Sequence, residues 1–155
     1  MAVAALKEPV VEITPAVRRF STADLSQHGG WIMKRLDERF PGHTERYFAG
    51  WLNGLIYSNE CLFLYQEHGV ALAQVVNTFS LELKPVVQER FVWAENPENV
   101  LHVNAAAHFY DNFAQWATSM QIEKIIVEEQ SDVPHEKIKE HLGRLYTAQL
   151  TFARV

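Results

Sequence analysis

Three apolar, β-rich segments followed directly by a long amphipathic helix constrain the fold more than any other feature of this chain. The segments are "CLFLYQE", "VALAQVVNTF" and "KPVVQERFVWAE", all between residues 61 and 95. The turn at Gly69 predicts an antiparallel hairpin from the first two. Apolar residues three and four apart, from Asn104 to about Met120, predict the helix. It leads to the short strand "EKIIVEE", and because such a crossover joins parallel strands, the sequence predicts a mixed sheet.

The N-terminal part adds one strand and two helices to this order. "VVEITPAVRRF" (residues 10–20) predicts a strand, and "STADL" predicts the start of a helix. His28-Gly29-Gly30 is expected to interrupt that helix, because glycine is a poor helix former. Apolar residues at helical spacing between residues 48 and 56 predict the second helix.

The C-terminal part adds a last helix and a closing strand. "PHEKIKEHLG" predicts the helix, with Ser131 or Asp132 as its N-cap and a stop at Gly143, and "RLYTAQLTFARV" predicts the strand. The complete order is β, α, α, β, β, β, α, β, α, β, which predicts an α/β fold with a mixed sheet. We find no repeat and no linker, so residues 1–155 are expected to form a single domain, with 1–9 as an N-terminal arm.

Composition excludes several classes of protein. With 14 basic and 19 acidic residues, the basic ones scattered, the chain is not expected to bind nucleic acid, which requires a basic stripe. No apolar run reaches the roughly 18 residues that span a bilayer, so no membrane association is expected. A lone cysteine, Cys61, and a start without the pattern of a secretory signal favour a protein made in the cytoplasm.

The histidines do not have the spacing of a metal site, and no metal is predicted. The sequence also contains no Cys/His pair and no Gly-x-Ser-x-Gly elbow for nucleophilic catalysis. Structural or solvent-facing roles are therefore expected for all seven: His28, His43, His68, His102, His108, His135 and His141.

The order of elements, with the longest amphipathic helix directly after a strand near residue 95, resembles the GNAT superfamily of acyl-CoA N-acyltransferases. The resemblance implies a twisted mixed sheet of about six to seven strands flanked by about four helices. In that family, the loop after the fourth strand carries Gln/Arg-x-x-Gly-x-Gly/Ala, and its amides at the helix start hold the cofactor pyrophosphate. The matching segment here is "LHVNAA", with Leu101 where Gln or Arg is expected and Asn104 at the first glycine. The residues that would bind the cofactor are Asn104, Ala105, Ala106 and Ala107.

The resemblance also implies two catalytic residues. Lys139, on the last helix, stands where the family has a tyrosine that protonates the departing thiolate. Glu89, on the third of the central strands, lies about where many members place the carboxylate that deprotonates the amine. Each has a simpler interpretation: Lys139 as part of a solvated helix face, and Glu89 as a strand carboxylate paired with a neighbour such as Arg90.

The departures at Leu101, Asn104 and Lys139 leave three functional hypotheses. The first is a GNAT-like scaffold without a cofactor, a binding or structural module that contacts a protein partner or another copy of itself. Its C-terminal "HEKIKEHLGRLY" resembles small GNAT-like proteins of tailed bacteriophages, which implies assembly into a virion. The second is an acetyl-CoA-dependent N-acetyltransferase acting on an amine. The third is a regulator that binds acyl-CoA without turning it over.

The gap between the strands near Trp93 and Ile126 distinguishes these hypotheses. An enzyme needs this gap open for the pantetheine arm of the cofactor. A scaffold is free to fill it, with Trp93, Phe109 or His108 as the expected side chains.

Overall fold

Six strands form one mixed sheet in the computed structural model, which describes residues 16–39, 45–77, 84–127 and 131–148. The strands are β1 (Arg18–Arg19), β2 (Cys61–Gln66), β3 (Gly69–Asn77), β4 (Pro85–Ala94), β5 (Ile125–Val127) and β6 (Tyr146–Ala148), and they lie side by side in chain order. Pairing is antiparallel from β1 to β4 and parallel from β4 to β6. The predicted α/β fold with a mixed sheet and a parallel crossover is confirmed. The predicted arm, residues 1–9, lies outside the described residues.

Helices cover both faces of the sheet. They are α1 (Thr22–Arg39), α2 (Glu45–Ile56), α3 (Val100–Ala107), α4 (Phe109–Ser119) and α5 (His135–Leu142). On one face, Ile32, Leu36 and Leu52 of α1 and α2 pack in one apolar cluster with Phe63 and Phe91 of the sheet. On the other face, apolar residues of α3, α4 and α5 form a second cluster with the opposite side of the same strands. The sheet therefore has two cores, one for each layer of helices.

The hairpin of β2 and β3 is confirmed, and its turn depends on glycine. The strands pair from Cys61 with Gln74 to Gln66 with Gly69. A Cβ atom on Gly69 would lie 3.1 Å from the carbonyl oxygen of Trp93 and 3.2 Å from the ring of Phe109. A side chain here would push these neighbours away by a few tenths of an ångström, so glycine suits the close packing of the turn against β4 and α4.

A β-bulge in β4 changes which side chains share a face. Leu72 of β3 pairs with Phe91, and Ala73 pairs with Glu89, so Arg90 adds one residue to β4. A bulge of this kind shifts the alternation of side chains by one position. Regular alternation along β4 predicts Glu89 and Phe91 on one face, but the bulge places them on opposite faces: Glu89 faces α4, whereas Phe91 packs in the core beneath α1.

Two predicted helices have different limits in the structure. The predicted interruption of α1 at Gly29-Gly30 is wrong, because the buried residues Ile32 and Leu36 hold the following turns against the sheet. The single helix expected from Asn104 is two helices that meet at His108, and the first begins four residues earlier than expected. At Gly29-Gly30, tertiary packing outweighs the low intrinsic helix propensity of glycine.

Within the described ranges, no helix combines the length and the apolar character that crossing a bilayer requires.

Asp24 joins the edge strand to α1. Its carboxylate accepts two hydrogen bonds of 2.7 Å from the guanidinium of Arg18, and others from the backbone N–H and the hydroxyl of Ser21. The hydrogen bonds from Arg18 chiefly lower the pKa of Asp24, from 3.8 to about 2. The carboxylate therefore stabilises the folded protein above pH 3.8, and this contribution is lost as the pH falls toward 2.

Replacing Asp24 with asparagine is expected to lower the free energy of unfolding by about 1–2 kcal/mol at pH 7, because Arg18 is half exposed and water weakens the ion pair. Urea denaturation at pH 7 and near pH 2 measures the effect, which should shrink at the lower pH. Asp37→Asn, an exposed site on the same helix, is the control and should leave the midpoint unchanged. Equal midpoints for both variants at pH 7 would contradict the assignment.

Candidate functional site

The parallel strands β4 and β5 separate after a short region of pairing. Val87 pairs with Ile125 and Gln88 with Ile126. The chain returns to β4 at Ser131, which forms an isolated parallel bridge with Val92. We call the space between these two points, beside residues 89–91, the β4–β5 divergence. This gap, near Trp93 and Ile126, distinguishes an enzyme from a scaffold.

Tyr110 of α4 spans the divergence. Its side chain is fully buried, and its hydroxyl donates a hydrogen bond of 2.6 Å to the hydroxyl of Ser131 on one side. On the other side it lies close to the carboxyl group of Glu89 in β4. Burial, and then the charge of Glu89, raise the pKa of Tyr110 well above its ordinary value. The phenol therefore stays protonated at neutral pH and acts as a fixed hydrogen-bond donor.

Asp132 closes the far end of the divergence. Its backbone N–H donates to the carbonyl of Val92 at 3.0 Å, and its carboxylate accepts from the N–H of Ala94 at 2.9 Å. The same carboxylate forms an ion pair of 2.9 Å with Arg35 of α1, and the two side chains are only 12% and 15% exposed. Arg35 also donates to the carbonyl of Ala94 at 3.1 Å. The backbone groups at the end of β4 are thus hydrogen-bonded within the chain.

The side chains expected to fill the gap are not the ones that do so. Trp93 packs on the opposite face of the sheet, stacked on Phe91 with ring centroids 4.1 Å apart. The bulge in β4 is the physical reason, because it turns Trp93 away from α4. Phe109 packs against the turn at Gly69 instead, and His108 lies beside Asp111.

Glu89 is held in the interior rather than at a surface. It has no exposed area, and it lies beside Tyr110. Its neighbour Arg90, the expected partner, donates through Nε to the side chain of Gln74 at 3.0 Å. An amine in solution cannot reach a carboxylate with no accessible surface unless the structure opens. The catalytic role of Glu89 stays a prediction.

The residues expected at the start of the crossover helix lie inside it. α3 begins at Val100 with Asn99 as N-cap, whose side chain accepts from the N–H of Leu101 at 2.9 Å. The amides of Asn104, Ala105, Ala106 and Ala107 therefore lie in later turns, where the carbonyls of the preceding turn are their partners. Asn104 is neither an N-cap nor a residue of positive φ, and its side chain accepts from Lys137 of α5.

The true start of α3 is unsuited to a pyrophosphate. Glu95 and Glu98 are exposed in the loop before it, and no lysine or arginine lies between Phe91 and Gln121. Val100 and Leu101, in the first turn, are 68% and 76% exposed. Glu98 would repel an anion, whereas the carboxylate of Glu95 lies 3.1 Å from Nδ1 of His68. Among the described residues, neither the helix start nor the divergence therefore has the groups that the family resemblance implies for acyl-CoA binding, and the absence of a cofactor stays a prediction.

Lys139 and Glu89 are not brought together. Lys139 is exposed on α5, whereas Glu89 is buried between β4 and α4. The backbone carbonyl of Lys139 accepts from the N–H of Gly143, whose φ of 55° ends the helix. The side chain thus has the setting of a solvated helix face, and its role as an acid also stays a prediction.

The residues that define the site were not identified from the sequence. The sequence predicts Ser131 or Asp132 as the N-cap of α5, whereas the observed N-cap is Pro134. Tyr110 was not singled out, although a tyrosine on the apolar face of a helix needs a partner for its hydroxyl. This requirement for a hydrogen-bond partner is the sequence signal that points to Tyr110.

Replacing Asp132 with alanine is expected to lower the free energy of unfolding by about 2–4 kcal/mol, because Arg35 would remain buried without its partner. Thermal and urea unfolding measure the change. Glu123→Ala removes an exposed carboxylate from the segment before β5 and should have little effect. A loss below about 0.5 kcal/mol for Asp132→Ala would show that the closure contributes little.

Comparison with known proteins supports the fold. No protein-family model matches the chain, and no curated protein is significantly similar to it in sequence. Among solved structures, it is similar to the aminoglycoside 6'-N-acetyltransferase AAC(6')-IG from Acinetobacter haemolyticus, with 14% identity and a TM-score of 0.58, over 90% of this chain and 97% of that one.

Two further structures agree. Glucosamine-6-phosphate N-acetyltransferase from Arabidopsis thaliana has 12% identity and a TM-score of 0.63, over 90% of this chain and 97% of that one. The aminoglycoside N-acetyltransferase AAC(6')-Iy in complex with CoA has 16% identity and a TM-score of 0.55, over 90% and 93%. The similarity to phage proteins stays a prediction. The chain has the GNAT fold of these acetyltransferases.

Proposed function

We propose that this GNAT-fold chain is a non-catalytic binding or structural module that contacts a protein partner or another copy of itself and does not use acyl-CoA. One observation carries the proposal: residues 131–132 pair again with β4 and close the β4–β5 divergence over Tyr110. The proposed assembly into a virion is part of the same hypothesis and rests on the resemblance of the C-terminal segment alone.

The free energy needed to open the divergence supports this proposal. A ligand entering there would break the bonds of Asp132 to Val92 and Ala94, the bond of Tyr110 to Ser131, and the buried pair with Arg35. Hydrogen bonds contribute about 1 kcal/mol each and breaking a buried pair costs about 3–5 kcal/mol. Because 1.4 kcal/mol is a factor of ten in affinity, a micromolar site would become millimolar or weaker.

The surface at the start of α3 also supports a role in protein contact. Val100 and Leu101 are adjacent and mostly exposed, in the turn where an acyl-CoA protein would present polar groups to phosphate. Exposed apolar side chains rimmed by charged ones, here Glu95 and Glu98, are typical of surfaces that contact another protein.

The second candidate is an acetyl-CoA-dependent N-acetyltransferase acting on an amine. The fold favours it, since AAC(6')-Iy has the same fold in a structure with CoA. In this hypothesis Glu89 is the base, and Tyr110 and the segment at Ser131 must move to expose it.

Calorimetric titration with acetyl-CoA and with desulfo-CoA distinguishes the two candidates. We expect no saturable heat up to millimolar ligand, because the divergence is closed and the helix start is acidic. A dissociation constant in the micromolar range for both ligands would contradict the proposal and favour the enzyme.

A double variant separates the closure from the loop residues. Leu101→Arg with Asn104→Gly restores two letters of the family pattern without touching Tyr110, Ser131 or Asp132. If closure excludes the cofactor, this variant should remain unable to bind acetyl-CoA and lose about 1 kcal/mol of stability from glycine within α3 and the lost contact to Lys137. Micromolar binding by the double variant would show that the loop residues alone are limiting.

A further inference from the structure

Three side chains with metal-binding atoms converge where α4 meets α5. They are His108 and Asp111 at the start of α4 and His141 near the end of α5, and one ligand atom from each lies within 4.8 Å of the others. The Nδ1 atom of His141 lies 2.8 Å from one carboxylate oxygen of Asp111, and Nδ1 of His108 lies 3.4 Å from the other. We call these residues the α4–α5 triad.

Buried packing fixes the helices that carry the triad. α4 and α5 share one apolar cluster, to which Phe113 of α4 and Ile138 and Leu142 of α5 contribute. His108 joins α3 to α4, and its carbonyl accepts from the N–H of Asp111 at 3.1 Å. The three ligands therefore extend from rigid elements rather than from loops, which is the arrangement that a metal site needs.

We propose that the α4–α5 triad binds a divalent transition metal ion, with Zn²⁺ as the ion best suited to it. Two imidazole nitrogens and one carboxylate oxygen form a ligand set that zinc accepts and that magnesium and calcium do not favour. The triad leaves a fourth position, and its side chains, 19%, 44% and 21% exposed, admit a water molecule there.

The distances are close to those that zinc requires. With bonds of 2.0–2.1 Å, two ligand atoms of a tetrahedral site lie about 3.3 Å apart. The 3.4 Å contact of His108 and the 2.8 Å contact of His141 end on different oxygens of Asp111. The carboxylate must therefore turn to bring one oxygen to about 3.3 Å from both nitrogens. The third distance joins the ligand nitrogens of His108 and His141, whose ring centroids lie 5.1 Å apart. Rotation of the two rings about their side-chain bonds would bring these nitrogens to the required separation.

A bound ion would join the start of α4 to the end of α5.

Sequence spacing did not reveal the site, because His108 and His141 lie far apart in the chain and on different elements. Only the spacing of Asp111, three residues after His108 on one helix face, was visible in the sequence.

Calorimetric titration of metal-free protein with Zn²⁺ tests the proposal. We expect one ion per chain with a dissociation constant in the micromolar range or below. Asp111→Asn, which preserves the shape of the side chain but removes its charge, and His141→Ala should each weaken binding at least tenfold. His135→Ala is the matched control, because His135 lies on the same helix but contacts Tyr146. The affinity of this variant for Zn²⁺ should stay within about threefold of that of the original protein.

A second measurement identifies the ligand atoms. On addition of Zn²⁺, nitrogen NMR of the imidazoles should show the metal on Nδ1 of both His108 and His141. The proposal would be overturned if the original protein bound Zn²⁺ with a dissociation constant above about 100 µM. It would also be overturned if Asp111→Asn left the affinity unchanged, or if the metal shifted the signals of other histidines. Undiminished affinity in the folded Asp111→Asn variant would overturn the proposal even if His141→Ala failed to fold.

Discussion

β4 and β5 separate after two paired positions, and the polar groups uncovered by this separation must find partners inside the protein. At the end of β4, Asp132 supplies such partners to the carbonyl of Val92 and the N–H of Ala94. Beside it, Tyr110 lies between Glu89 and Ser131. Arg35 then ties Asp132 to α1 on the other face. One small polar network thus joins the sheet to both layers of helices.

The proposal that the chain is non-catalytic rests on the same network. The sheet order and the crossover are those of acetyltransferases with which the chain shares 12–16% identity. A scaffold of this kind accepts either an open gap for a ligand or a gap closed by its own side chains. Here Tyr110 is hydrogen-bonded to Ser131, and Asp132 to Arg35 and the end of β4. The start of α3 combines exposed carboxylates with exposed apolar residues.

The sequence predicted what depends on local patterns. The hairpin at Gly69, the crossover to β5 and the stop at Gly143 follow from turn chemistry and periodicity. The bulge at Arg90 could not be predicted, because it reflects how β4 fits β3 rather than any residue preference. α3 begins earlier than predicted because its N-cap is Asn99. Asn104 is of the same residue type, so residue preference alone does not show which of the two caps the helix. The contact of Tyr110 with Ser131 joins residues from different elements, and periodicity carries no information about it.

Hydrogen exchange at the amides of Ala94 and Asp132 tests most directly whether the divergence is closed. Both amides donate within the closure, and the amide of Val87, bonded to Lys124 at 3.1 Å, is the internal reference in the same strand. We expect all three to exchange at similarly slow rates, unchanged by millimolar acetyl-CoA. Fast exchange at Ala94 and Asp132 beside a protected Val87, or slower exchange on adding acetyl-CoA, would contradict a closed, cofactor-free fold.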